Sequence, residues 1–284
     1  MSTRRVNELP ALDGSGPIRS KHVAAVRHRP DIRPPWVLRR VELTRREVLP
    51  TGLLRLTLGG EQLRSVFCVP GLANSGFDDV LVICLPDPDA APLPARISPH
   101  PLRGPVPVSP GYALRDYTIA NLLHDPSGEC VAVQIDVVRH AGGRFADWAE
   151  LAPLGAELDV LNPRMMRLLP RTGRIVAVGD DAAQPALEGL LRHSAGGQAG
   201  PSGVVLMPHP PGPGNERLRV ERLPEPGAVT ARLLQLAAEE PEAYFWLAAE
   251  SSRVTAWRRA LIEAGLAKDQ VQFSGYWRLG KPQR

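Results

Sequence analysis

Cysteine is scarce in this chain: three of 284 residues, Cys68, Cys84 and Cys130, odd in number and far apart. That spacing, in apolar or strand-like surroundings, indicates neither a disulfide framework nor a metal site, and each cysteine reads as a small buried hydrophobe. Long apolar runs are lacking too. No stretch of about 18 apolar residues occurs, so no membrane helix is expected. Met1 to Pro30 is polar and basic without an apolar core, so no secretory signal is expected and a cytoplasmic protein is. Nor is there a strong excess of one charge, with 34 Lys and Arg against 30 Asp and Glu for a net +4. Much of the positive excess sits in the first 46 residues, Arg4, Arg5, Arg19, Arg27, Arg29 and Arg33 among them. No aromatic interleaving accompanies these arginines, which argues against nucleic-acid binding and for a solvated, partly disordered leader over residues 1–34.

What the chain does have is organisation. Its 30 prolines and 26 glycines concentrate in the leader, in Pro86 to Pro110 and in Pro201 to Pro226, which read as loops. Between them Val37 to Val48, Leu53 to Leu58, Val80 to Leu85, Leu114 to Asn121 and Val131 to Arg139 are short β-rich runs bounded by turn residues, the pattern of an antiparallel barrel. Phe145 to Leu151 reads as one helix near the barrel mouth and Glu157 to Leu161 as a last strand. The pattern then changes to strand and helix in alternation. The strands are Arg174 to Val178, Gly203 to Met207, Ala243 to Leu247 and Val271 to Phe273. The helices are Ala183 to His193, Val229 to Glu239 and Ser251 to Ala264. Alternation of this kind implies a parallel sheet covered by helices, with ligands beyond the carboxyl ends of its strands. Two domains are expected, a barrel over 35–169 and an α/β nucleotide-binding domain over 170–284, joined near Leu168 to Gly173 with the active crevice between them.

Several motifs carry the chemistry. Arg115 and Tyr117 share one strand face, with Thr118 beside them. The run Asp136 to Ala149 places His140, Gly142 and Gly143 ahead of a helix that contains Trp148. Gly179 and Asp180 follow an apolar strand and open a helix, the context a nucleotide-binding loop requires. Phe245 to Arg253 ends a strand in Glu250 and Ser251 before another helix. The chain closes on Ser274, Gly275, Tyr276, Trp277, Arg278, Leu279, Gly280.

In order and spacing these blocks resemble the siderophore-interacting proteins, from about Trp36 to Gly280. The resemblance implies a two-domain, ferredoxin-reductase-like fold: an FAD-binding barrel followed by an NAD(P)-binding α/β domain. It implies FAD and NAD(P)H as cofactors and a ferric siderophore as substrate, with iron released on reduction. The cofactor-binding residues it implies are Arg115, Tyr117, Thr118, His140, Gly143, Gly179, Asp180, Glu250, Ser251, Tyr276 and Trp277, with no catalytic acid or base. Ser252 and Arg253 join Ser251 as candidate phosphate donors, and Arg139, Arg278 and Lys281 are candidate cations for an anionic substrate. His140 also reads as a structural histidine. Trp277 reads either as closing over the crevice with Tyr276 or as sealing the last strand against a helix.

The chain departs from the family pattern at several of these places. Ala120 stands for an arginine, Ala146 for a small hydroxyl residue, Ala182 for a threonine, Gln184 for a leucine and Ala249 for a glycine. Asn162 and Met165 stand for glycines, and Arg144 and Phe145 for a proline and an alanine. Two readings therefore stay open, an NAD(P)H-dependent ferric-siderophore reductase and a non-catalytic or repurposed relative that binds a ligand or partner with the same shell. Deleting Met1 to Asp31 should leave the melting temperature nearly unchanged, because a polar arginine-rich segment without periodic apolar residues cannot form a core. A large fall in a thermal melt would show that the leader packs on the body.

Overall fold

The computed structural model describes residues 36–64, 77–87, 89, 96–97, 111–140, 142–165, 173–195, 200–212, 214–223 and 225–280. The basic leader, Cys68, most of Pro86 to Pro110, the proposed linker from Leu168 to Thr172, Lys281 and the side chains of Asn162 and Met165 lie outside the described residues.

Six strands close a barrel: β1 (Trp36–Val48), β2 (Leu54–Gly59), β3 (Asp79–Pro86), β5 (Tyr112–His124), β6 (Cys130–Val137) and β7 (Glu157–Met165). Around the barrel the order is β1-β2-β6-β5-β3-β7 and back to β1, with every pairing antiparallel. Closure depends on β1. Its first half, Leu38 to Glu42, pairs with β7, and its second, Glu42 to Val48, pairs with β2, with a register shift between Leu43 and Arg45. Such a bulge bends a strand and raises its twist, which lets one strand serve both neighbours. A two-residue strand, β4 (Arg96–Ile97), adds to the start of β1. Leu43, Leu54, Leu56, Leu58, Leu81, Ile83, Val133 and Ile135 fill the interior. Helix α1 (Glu61–Arg64) and helix α2 (Arg144–Leu151) flank the barrel, and α2 adds Phe145, Ala146 and Ala149 to the same core.

The second sheet contains β8 (Arg174–Gly179), β9 (Ser202–Met207), β10 (Leu218–Arg222), β11 (Tyr244–Glu250) and β12 (Val271–Trp277). All are parallel, in the order β10-β9-β8-β11-β12. A 3-10 turn (Asp181–Ala183) runs into α3 (Gln184–Ala195), and α4 (Pro226–Glu239) and α5 (Ser251–Glu263) complete the layers. Pro226 at the first helical position of α4 has its ring where no intrahelical N–H is needed. Sheet faces alternate cleanly along β11: Phe245, Leu247 and Ala249 enter one core, Tyr244, Trp246 and Ala248 the other. Chain order reverses between β8 and β11, so a ligand crevice belongs at their carboxyl ends.

Strand β10 corrects the reading of Pro201 to Pro226 as loop. Leu218 and Val220 are buried, yet five residues between proline-rich stretches give too short a period to recognise, and pairing with β9 decides their conformation. Cys84 and Cys130 are buried free thiols, and burial pushes Cys84 up to about 12. No helix among the described residues is long and apolar enough to cross a membrane.

The two sheets are joined just ahead of β3. Phe77 is 1% exposed and packs not on the barrel but against Trp246 of β11, with ring centroids 4.9 Å apart. Asp78 follows at φ 49, an uncommon left-handed conformation for a residue other than glycine, and accepts a hydrogen bond from the Tyr276 hydroxyl of β12. Arg192 of α3 reaches back to the Ala120 carbonyl of β5 at 2.5 Å. Phe77→Ala should cost about 3–5 kcal/mol. It should also split a single calorimetric transition into two, since it removes the ring by which the segment leading into β3 is anchored on the second sheet. One transition with an unchanged midpoint would show that the contact couples nothing.

Candidate functional site

At the carboxyl edge of the parallel sheet one carboxylate organises the site. Asp180 follows β8 and is 7% exposed. One oxygen accepts the Ala182 N–H at 3.2 Å, capping the 3-10 turn; the other accepts the Glu250 N–H at 3.0 Å and the Trp277 indole N–H at 2.8 Å. Burial raises the Asp180 pKa, and the indole and the two amides act against that rise. Gly179 is required by packing: a Cβ there would lie 2.5 Å from the Ala183 methyl and 2.9 Å from the Ala248 carbonyl.

Glu250 ends β11 and turns its carboxylate onto the start of α5. It accepts the N–H groups of Ser252 at 2.6 Å and Arg253 at 3.1 Å, the Ser252 hydroxyl, and, through its second oxygen, the Leu279 N–H at 3.4 Å. The Ser252 hydroxyl first, then these amides, hold the Glu250 carboxyl below its usual range. Ser251 donates its hydroxyl to the Trp277 carbonyl at 2.9 Å. Its Cα lies so near β12 that a Cβ on Gly275 would come within 3.0 Å of it. Gly179, Asp180, Glu250, Ser251 and Trp277 are thus brought together, and the terminal aromatics fasten strand ends. Tyr276 stands edge-on to Trp246, 6.3 Å between centroids, and holds Asp78.

The barrel supplies a second, cationic cluster. Arg115 is half-buried and donates to the Leu114 carbonyl at 2.7 Å. Burial lowers its pKa, as does the neighbouring guanidinium of Arg144. Tyr117, on the same strand face, packs on Phe145 at 4.7 Å, and Phe145 stacks on Trp148 at 5.5 Å. Burial pushes the Tyr117 phenol up to about 12, so it stays neutral at physiological pH. Thr118 is buried and faces the other way, paired with Val80 of β3. His140 is exposed with its ring laid over Gly143, where a Cβ would meet it at 2.1 Å. Gly143 is also the N-cap of α2 and brings no side chain to the first-turn N–H groups. The Arg115 guanidinium and the uncapped N-terminus of α2 form a donor set suited to a pyrophosphate, while the Arg144 guanidinium is engaged by Asp87.

Several substituted positions find their explanation in packing. Ala146 is 2% exposed in the barrel core, and Ala249 is fully buried in the sheet core, so neither methyl faces the crevice. Ala120 is buried and offers its carbonyl to Arg192. Arg144 clamps the end of β3, donating to Asp87 at 2.6 Å and to the Pro86 carbonyl at 2.7 Å. Gln184, fully buried, holds the turn after β9: its amide donates to the His209 carbonyl at 2.8 Å, and its oxygen accepts the His209 N–H at 3.4 Å. Sequence reasoning missed Arg222, because the loop composition around it hid strand β10, and His209, which lies beyond the end of the expected strand Gly203 to Met207. Arg139 is paired with Glu150 at 2.5 Å, while Arg278 is exposed.

A carboxyl held below its ordinary range stabilises the fold above that range, about 4.3 for glutamate, and the contribution is lost as pH falls through the lowered value. Glu250→Ala should therefore cost about 0.5–2 kcal/mol near neutral pH through the lost cap. The deficit should shrink in acid. Denaturant titrations near neutral pH and near pH 3 check this, and equal deficits would mean the cap owes nothing to charge.

The family model described as "Siderophore-interacting FAD-binding domain" matches residues 42–167, and that described as "Siderophore-interacting protein" matches 172–280. An Escherichia coli (strain K12) protein named NADPH-dependent ferric-chelate reductase is 28% identical over 250 residues, 84% of this chain and 92% of that protein. The siderophore-interacting protein SipS from Aeromonas hydrophila superposes with a TM-score of 0.62 at 22% identity, covering 88% of this chain and 94% of its own. A siderophore utilization protein from T. fusca gives 0.59 at 23% identity, covering 88% and 95%. A ferredoxin reductase of carbazole 1,9a-dioxygenase shares the fold at 0.55 and 18% identity, covering 86% and 70%. With one match on the barrel and the other on the parallel sheet, the chain belongs to the siderophore-interacting protein family, and its barrel is that family's FAD-binding domain.

Proposed function

We propose that this protein is a reductase that moves electrons from NAD(P)H, by way of FAD, to a ferric siderophore, whose iron is released on reduction because ferrous iron is held more weakly. The observation that carries the reading is the uncapped N-terminus of α2 together with Arg115, in a barrel whose family is FAD-binding. FAD, when bound, supplies the conversion of a two-electron hydride into single-electron steps. The chain's own residues do the placing. Arg115 and the first-turn amides of α2 would hold the pyrophosphate, and the Tyr117 and Trp148 rings, backed by buried Phe145, would offer an apolar wall for the flavin. The neutral Tyr117 phenol acts as packing surface and hydrogen-bond donor, not as a base.

The nicotinamide nucleotide belongs at the switch point between β8 and β11, where Gly179 and Glu250 end the two strands. Exposed Arg278, two residues before Gly280, is a cation placed to meet an anionic chelate. The related protein named a ferric-chelate reductase supports the substrate class, and a cytoplasmic site of action fits the use of NAD(P)H.

Titration of the purified protein with FAD, followed by anaerobic NAD(P)H and a ferric siderophore with a ferrous-specific chelator present, tests the proposal. FAD should bind, and Arg115→Ala should weaken it by about 10- to 100-fold, the range of a lost charge-assisted hydrogen bond. Absence of FAD binding at high micromolar concentration would favour the non-catalytic reading. Unchanged affinity in the variant would displace Arg115 from the pyrophosphate.

A further inference from the structure

Strand β5 presents Arg115 and Tyr117, and just beyond them its ladder is irregular. Ile119 pairs with Ile135 of β6, and Asn121 with the very next residue of β6, Gln134, so Ala120 is an extra residue in β5. A bulge leaves its extra residue out of the regular pairing. The Ala120 carbonyl instead meets Arg192 of α3 at 2.5 Å, so that a guanidinium from the other domain seats on the backbone where this chain lacks the family's own arginine. Among the described residues no apolar core contains side chains of both α3 and β5. The contact is therefore held by the direction of a hydrogen bond rather than by buried apolar area.

The surroundings of Arg192 direct it to that carbonyl. Of the carboxylates whose charge reaches it, Asp136 is taken by Arg55 through two bonds of 2.7 Å, and Glu188 stands 3.9 Å away while accepting the Gln184 amide at 2.9 Å. Gln184, Glu188 and Arg192 are spaced by four and so share one face of α3. Gln184 opens that helix directly after the turn that Asp180 caps, and it also holds the His209 carbonyl beyond β9. One helix face thus runs from the nucleotide turn to the strand that carries Arg115 and Tyr117.

We propose that Arg192 is a positioning residue: through the Ala120 carbonyl it holds β5 in register with the helix that leaves the nucleotide turn, and so sets the approach of the nicotinamide to the flavin. The proposal rests on the reductase reading given above. Its consequence falls on rate and not on affinity. In the step concerned a hydride, carrying two electrons, leaves the dihydronicotinamide and enters the oxidised flavin, and misplacement by about 1 Å can cost about 100-fold in rate.

Two measurements on the full-length protein test it. The first needs no cofactor: nitroxide labels on cysteines introduced at exposed His124 of β5 and exposed Lys268 of the sheet domain, in a Cys68→Ser background, should give one narrow distance distribution by pulsed EPR that broadens in Arg192→Ala. In the FAD-loaded protein Arg192→Ala should lower the limiting rate of single-turnover flavin reduction by NAD(P)H about 10- to 100-fold. FAD affinity, melting temperature and the rate of reduction by dithionite should not change. Arg192→Lys, which keeps a charged donor for the carbonyl, should recover part of the loss. An unchanged limiting rate or an unbroadened distance in Arg192→Ala overturns the proposal, as does a fall in FAD affinity or melting temperature that accounts for the loss of rate. Broadening in a protein whose bound FAD neither NADH nor NADPH reduces, wild type included, would sustain the registration by Arg192 and sink the reductase reading.

Discussion

The carboxylate of Asp180 is the fixed point of this molecule. Three parallel strands end within its reach, and its two oxygens tie the turn after β8, the N–H that ends β11 and the indole that ends β12. A buried carboxylate is tolerated only if its lone pairs are met, and here three N–H groups meet them. The rest of the crevice follows from this arrangement. Trp277 is held at the sheet edge, its carbonyl receives Ser251, and Ser251 starts the helix whose first amides Glu250 caps. Gly275 is the concession that lets α5 approach β12 closely enough for this to happen.

One consequence is electrostatic. A helix N-terminus is the usual place for a phosphate, but a carboxylate that accepts the same amides competes for it. Asp180 and Glu250 do so at both turns of the switch point. In the barrel the N-terminus of α2 carries no such side-chain cap.

A second consequence is mechanical. Tyr276 lies next to Trp277 in β12, so the strand that Asp180 fixes also presents the hydroxyl that holds Asp78 ahead of β3. Phe77 inserts beside Trp246 in the same place, and Arg192 closes the far side through the Ala120 carbonyl. Barrel and sheet are therefore registered by side chains that belong to the crevice itself. Electron transfer between ligands held on separate domains needs such registration, since misplacement by an ångström costs rate.

Much of this was legible in the chain. Alternating apolar residues bounded by glycine and proline mark the barrel strands, and the change to strand and helix in turn marks the parallel sheet. These are local signals, set by period and turn chemistry. Strand β10 was not legible, because five residues flanked by prolines acquire their conformation from pairing with β9. The roles of individual residues were not legible either. The resemblance names Asp180, Ser251 and Trp277 as cofactor-binding, but only the folded chain decides that Asp180 binds Trp277 and Ser251 the Trp277 carbonyl, that the methyls of Ala146 and Ala249 turn into the cores, and that Arg222 donates to the Pro208 carbonyl after β9. Sequence fixes which groups are available along the chain, whereas the direction a side chain takes depends on the strand pairings and helix packing around it, and those are long-range.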